Sequence, residues 1–196
     1  MQLYSALLLC IMVLSLTGGL SALRGVFGLS RMHSVFFALS MLVLSRFDLN
    51  FSTETRMNLC AITLPSVLAI WARDEEPGVG ALSALTVFTI LAFVAEKVGV
   101  FAGAQNGLLT GFIAGSSAAA LATTPKTAFA VSSAVPLCAT MLSSVYDMAT
   151  GRYVQIDLTL ISIRDAQMIS LFFAGILLCM YAVARAEGVA PKPQED

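Results

Sequence analysis

Three of the chain's acidic residues, Asp147, Asp157 and Asp165, fall in one polar interruption, SVYDMATGRYVQIDLTLISIRDAQ, at positions 144–167. Two carboxylates that share a proton can activate water, so Asp147 and Asp165 are the candidates for a catalytic pair. Other reaction types lack their parts. His33 is the only histidine and sits two residues from Arg31, which leaves Ser–His, Cys–His and zinc chemistry without a base or a ligand set. Cys10, Cys60, Cys138 and Cys179 each lie inside an apolar run, form no CxxC pair and read as small buried hydrophobes. No cofactor and no metal is expected from these residues.

The acids also have structural readings. SIRD places Ser162 as an N-cap with Asp165 three residues on, a capping box opening the last helix. Asp157 fits the solvated face of an extended segment near 153–161, where polar Tyr153, Gln155, Asp157 and Thr159 alternate with Val154, Ile156, Leu158 and Leu160 after a Thr150-Gly151 turn. Asp147 is less comfortable, because it closes a predicted helix over 127–146, where a negative charge opposes the helix dipole. A compensating cation is expected from Arg152 or Arg164. Asp147, Arg152 and Arg164 are therefore the candidate binding residues at this end, with bound cation or proton as the functional counterpart.

The elements that must hold these residues are set by hydropathy. Of 196 residues, 58% are hydrophobic and only 12% charged, which is the composition of an integral membrane protein. The net charge of −1 and the scattered basic residues exclude a nucleic-acid partner. Six apolar runs predict spans near 3–22, 57–72, 79–95, 107–122, 127–146 and 168–185, and residues 34–45 predict a shorter, half-inserted helix. The expected fold is thus an all-α polytopic bundle, a single membrane domain over 1–185 with a polar tail at 186–196. The first run has no preceding basic residue and reads as a retained span. The basic residues do not select an orientation. Thr124 and Pro125 predict an N-cap and first helical position.

Gly99, Gly103, Gly107, Gly111 and Gly115 recur at intervals of four, a glycine zipper that lets two helices approach closely. A wall facing a pore or substrate is the other reading, and Gln105 and Asn106 would then be its polar lining. The partners implied are membrane lipid and either a second copy of the chain or another membrane protein.

The order of SMLVLSRFDLNF, MNLCAITLPSVLAIW, AVPLCATMLSSVYDM and SIRDAQMISLFFAGILL resembles that of an uncharacterised prokaryotic integral membrane protein family, a domain of unknown function. Asp147 falls on that family's helix-end acid, and Asn58 and Pro65 on its second motif. The glycine-rich opening of the family's last motif is replaced here by Arg164-Asp165-Ala166-Gln167. The resemblance implies a multi-pass protein of the prokaryotic cytoplasmic membrane and no particular activity. YDMATGR and RDA also resemble the paired acids of intramembrane aspartyl proteases, although the Gly-x-Gly-Asp of that group is absent. Two functions follow: a non-enzymatic membrane binding, transport or assembly component, or a protease-like enzyme using Asp147 and Asp165.

Overall fold

Short polar side chains fix where the helices begin. Ser30, Asn58 and Thr124 hold extended backbone and each accepts a hydrogen bond from an N–H in the first turn that follows. The computed structural model of the chain describes residues 3–19, 30–51, 55–73, 79–97, 106–122, 124–152 and 156–186. In chain order its elements are α1 (Leu3–Thr17), α2 (Arg31–Leu44), β1 (Asp48–Asn50), β2 (Thr55–Asn58), α3 (Leu59–Ala72), α4 (Val79–Lys97), α5 (Asn106–Leu121), α6 (Pro125–Ala149), β3 (Ile156–Leu158) and α7 (Ile161–Ala186).

The three strands form one sheet in the order β1-β2-β3. β1 and β2 are antiparallel, with Asp48 opposite Asn58 and Leu49 opposite Met57, and β3 runs parallel to β2, with Arg56 opposite Asp157. Side chains alternate across a sheet, so Asp48, Asn50, Arg56, Asn58 and Asp157 share one face while Leu49, Met57, Ile156 and Leu158 share the other.

Two apolar clusters hold the helices. One joins Tyr4 and Leu8 of α1, Ala38 and Met41 of α2, Cys60, Leu64 and Leu68 of α3, and Met168 of α7. The other joins Phe88 and Ala92 of α4, Ala114 and Ala118 of α5, and Val131, Val135 and Ala139 of α6. α6 packs against α3, α4, α5 and α7, which places it at the centre of the bundle. It ends in a Schellman turn: Gly151 takes φ +78°, its N–H bonds to the Met148 carbonyl at 3.1 Å, and the Arg152 N–H bonds to the Asp147 carbonyl at 3.0 Å.

Several sequence expectations change. The fold is mostly helical but not all-α, since β1 and β2 join β3 in a sheet and only β3 was expected as an extended segment. Among the described residues, α6 and α7 are the two helices long and apolar enough to cross a membrane. α1, α2 and α3 have 15, 14 and 14 residues, so at 1.5 Å per residue each is about 20 Å long against a hydrocarbon core of about 30 Å. The run expected over 57–72 begins in β2, because Asn58 ends the strand and caps α3. The run expected to open at 168 begins at Ile161 instead, and the helix expected to stop at 146 continues to Ala149.

The glycine pattern marks a close approach of α5 to α7. A Cβ on Gly111 would lie 2.6 Å from the Ala166 carbonyl oxygen and 2.9 Å from Ile169 Cβ, and one on Gly115 would overlap the Ser170 carbonyl. These two positions are the packing face expected of them. Gly107 lies in the first turn of α5, whereas Gly99 and Gly103 fall outside the described residues.

Gly111→Ala should therefore lower unfolding stability in detergent by about 1–3 kcal/mol, since α7 backbone must move to admit one methyl group. Gly175→Ala is the control: its Cβ would meet only the Phe129 ring, at 3.6 Å, and should be neutral or stabilising through helix propensity. Thermal unfolding of both variants checks the contrast, and an unchanged Gly111→Ala would refute the packed face.

Candidate functional site

Pro65 lies inside α3 and Pro136 inside α6, and both are buried. Proline has no N–H, so the carbonyl four residues earlier in each helix, that of Ala61 and that of Ser132, has no helical donor. α7 supplies the missing donors. Gln167 Nε2 donates to the Ala61 carbonyl at 2.9 Å and also to the Ser133 carbonyl at 3.0 Å, and Ser170 Oγ donates to the Ser132 carbonyl at 2.7 Å. Gln167 and Ser170 are three apart and so share one helix face, and both side chains are fully buried. A buried amide or hydroxyl without a partner would be costly, and so would an orphaned carbonyl. Meeting each other satisfies the two carbonyls, the Gln167 Nε2 and the Ser170 hydroxyl, leaves the Gln167 Oε1 buried without a partner, and fixes α7 against α3 and α6 at one height.

One turn earlier, α7 reaches the sheet. Arg164 donates from Nη1 to the Ser45 carbonyl at 2.9 Å and from Nη2 to the Thr159 carbonyl at 3.2 Å. Ser45 also accepts from Asn58 Nδ2 at 3.1 Å, and Asn58 Nδ2 reaches Asp48 Oδ1 at 2.6 Å. Asn58 Oδ1 meanwhile accepts the Cys60 N–H at 3.0 Å as the cap of α3. The Ser45–Asp48 turn is thereby clasped between α3 and α7. Arg164 is thus engaged by backbone carbonyls and does not compensate Asp147, which corrects that part of the sequence reading.

Asp165 is also used differently from expectation. α7 starts at Ile161, so Ser162 stands inside the first turn and not before it. Asp165 Oδ1 accepts the Tyr4 N–H at 2.8 Å, one of the donors left over at the N-terminus of α1. It caps another helix. The Tyr4 hydroxyl donates to the Met41 carbonyl at 3.3 Å and shares a short contact with Cys60 Sγ, tying α1, α2 and α3 together. Asp157 Oδ1 accepts the Thr159 N–H at 2.9 Å and the Thr159 hydroxyl, closing β3 with an Asx turn.

Asp147 lies in the last turn of α6. Lys97, at the end of α4, meets its Oδ2 at 2.7 Å, and Arg152 Nη1 stands 3.8 Å from its Oδ1. Arg152 is present as expected, but the nearer cation is Lys97. That partner is fifty positions away, and local spacing gives no sign of it. Lys97 also lies over the Tyr146 ring at 5.5 Å, and Tyr146 packs edge-on to Phe93.

The structure does not bring the two acids together. α6 and α7 are antiparallel, with Gln167 and Ser170 level with Ser133 and Ser132 and with Gly175 against Phe129. Asp165 therefore lies near the turn containing Pro136, and Asp147 lies on the order of ten residues, about 15 Å, further along α6 at the helical rise. Carboxylates that share catalytic work on one bond lie much closer than this. Of the lining expected from Gln105 and Asn106, Gln105 falls outside the described residues, and Asn106 is the first residue of α5 with its side chain undescribed. Among the described residues no three His, Cys, Asp or Glu side chains converge.

No protein-family model, no curated protein and no solved structure matches the chain.

The two polar regions should respond differently to mutation. Asp147→Asn removes a partly exposed ion pair and should cost less than about 1 kcal/mol. Asn58→Ala removes a fully buried cap and leaves the Ser45–Asp48 turn without its amide donor, so it should cost more than about 2 kcal/mol. Equilibrium unfolding of the two variants measures both, and a larger loss from Asp147→Asn would reverse the assignment.

Proposed function

We propose that the protein is a non-enzymatic, multi-pass component of a prokaryotic cytoplasmic membrane that binds, passes or organises a partner within the bilayer. The observation that carries this reading is an outer surface rich in large apolar side chains around an interior that holds polar ones as well as the apolar clusters. The polar side chains of Asn58, Arg164, Gln167, Ser132, Ser133 and Ser170 are buried, while large apolar side chains point outward from every helix. Phe36 of α2 is 72% exposed, Ile70 of α3 71%, Leu82 of α4 68% and Met180 of α7 62%. Water penalises such a surface, and lipid does not. Polar residues inside a bilayer are expected to pair with one another or with backbone carbonyls, as Gln167, Ser170 and Arg164 do. The motif order's resemblance to an uncharacterised membrane family is in keeping with the same reading. The five shorter helices would meet the bilayer through tilt, local thinning or snorkelling flanks.

Support for the non-enzymatic part is the occupation of the candidate catalysts. Asp165 holds the start of α1, Asp147 holds Lys97, and the register of α6 on α7 keeps the two acids apart. The protease-like reading has no geometric observation in its favour.

Val87, half exposed in the middle of α4, offers the test. In a bilayer Val87→Lys places a charge on the lipid face and should cost about 2.5–3.5 kcal/mol, seen as lost membrane insertion. In water the same change would be harmless or would improve solubility. The unsubstituted chain should stay with the membrane pellet through alkaline carbonate and leave it only with detergent. Release into the carbonate supernatant, together with a soluble Val87→Lys, would overturn the membrane reading.

A further inference from the structure

Among the described residues β1 is an edge strand, and its outer side is self-complementary. Its inner side is identified by two bonds that extend the ladder beyond the strand: the Phe51 N–H donates to the Thr55 carbonyl at 3.1 Å, and the Leu59 N–H donates to the Phe47 carbonyl at 3.0 Å. Residues 47, 49 and 51 therefore direct their backbone groups toward β2, and the alternation of an antiparallel ladder turns the N–H and C=O of Asp48 and Asn50 outward. No described residue pairs with them by backbone hydrogen bonds, because β1 is the end of the sheet. An open edge of this kind is a template for another strand.

The side chains state which strand fits. Phe47, Leu49 and Phe51 are 54%, 39% and 66% exposed and lie at alternate positions, so they form one apolar face along the open edge. We propose that β1 pairs antiparallel with β1 of a second copy of this chain about a two-fold axis through Leu49, joining two three-stranded sheets into one. In that register Asp48 exchanges both backbone hydrogen bonds with Asn50 of the second copy, and Asn50 does the same with its Asp48. Phe47 faces Phe51 of the second copy, Leu49 faces itself, and the Asp48 carboxylate faces an amide and not another carboxylate. Aromatic and apolar pairs directly opposite each other are the favourable cross-strand combinations, and like charges opposite each other are the unfavourable ones. A shift by one residue would place Asp48 against its own symmetry mate or bury polar side chains among the phenylalanines. The two-fold makes the contact closed, so it yields a dimer and not a fibre.

The inference stands whether or not the membrane reading holds, since it rests on strand register alone. The test is oxidative cross-linking of the full-length chain in mild detergent with copper phenanthroline. At the two-fold, the Leu49 pair is a non-hydrogen-bonded pair with Cα atoms about 4.5 Å apart, inside the range a disulfide spans. Leu49→Cys should give a covalent dimer at least about tenfold faster than Ile70→Cys, an exposed position on α3, because the thiols in a docked pair have a high effective concentration. The unsubstituted chain, with its own four cysteines, sets the background. Asn50→Pro removes only an outward N–H, leaves the bonds to β2 in place, and should abolish the cross-link of Leu49→Cys in the double variant. Leu49→Lys, which sets two ammonium groups on the axis, should shift the sedimenting mass from dimer to monomer with unchanged helical circular dichroism. Equal rates for Leu49→Cys and Ile70→Cys, a cross-link that survives Asn50→Pro, or a Leu49→Lys variant that stays dimeric would each overturn the pairing.

Discussion

The bundle depends on a helix-breaking residue being matched by a donor from a different helix. Pro65 and Pro136 each leave a carbonyl without a partner in the middle of an apolar bundle, and a bare carbonyl there would favour unwinding of the helix around it. Gln167 and Ser170, one turn apart on α7, donate to those two carbonyls and so convert two defects into two fixed points. Three points follow from that constraint. α7 has one height against α3 and α6, its adjoining face has one height against α5, and its first turn is brought to the sheet, where Arg164 closes the Ser45–Asp48 turn.

Packing and hydrogen bonding then reinforce each other. With α7 fixed by its polar face, the carbonyls of Ala166 and Ser170 lie against α5 so closely that only glycine fits at 111 and 115. Close approach yields dispersion contacts that do not need a hydrophobic force between helices, which matters if the surroundings are lipid. The same turn of α7 carries Asp165, whose carboxylate accepts the Tyr4 N–H in the first turn of α1. A single helix turn and a half thus touches α1, α3, α5, α6 and the sheet.

What the sequence disclosed divides along the range of the interaction. Caps, turns and the glycine interval are local patterns, so Thr124, the Thr150-Gly151 turn and the packing role of Gly111 and Gly115 were readable. Partners far apart in the chain were not. Lys97 reaches Asp147 across fifty positions, Asp165 reaches Tyr4 across the whole fold, and Arg164 turns to Ser45 instead of to the acid nearest in sequence. Hydropathy also hid the first two strands, because the Asp48–Asn58 segment is polar and short and the Ser45 carbonyl ahead of it is held by Asn58 and by the distant Arg164. A rule that would have found Gln167 exists: every proline inside a helix frees the carbonyl four residues earlier, so a glutamine or serine stranded in an apolar helix is the donor to look for.

The most direct test of this account is a double-mutant cycle between Pro136 and Ser170, read by equilibrium unfolding of the purified chain in detergent. Ser170→Ala in the otherwise unchanged protein strips the Ser132 carbonyl of its donor and should cost about 1–3 kcal/mol. In a Pro136→Ala background the new N–H at position 136 can close the helical bond to the same carbonyl. Ser170→Ala should then cost less by about 1 kcal/mol or more, the coupling expected of groups that serve one acceptor. Strictly additive costs, with no coupling between the two positions, would mean that Ser170 is not the donor made necessary by Pro136, and would contradict the account at its base.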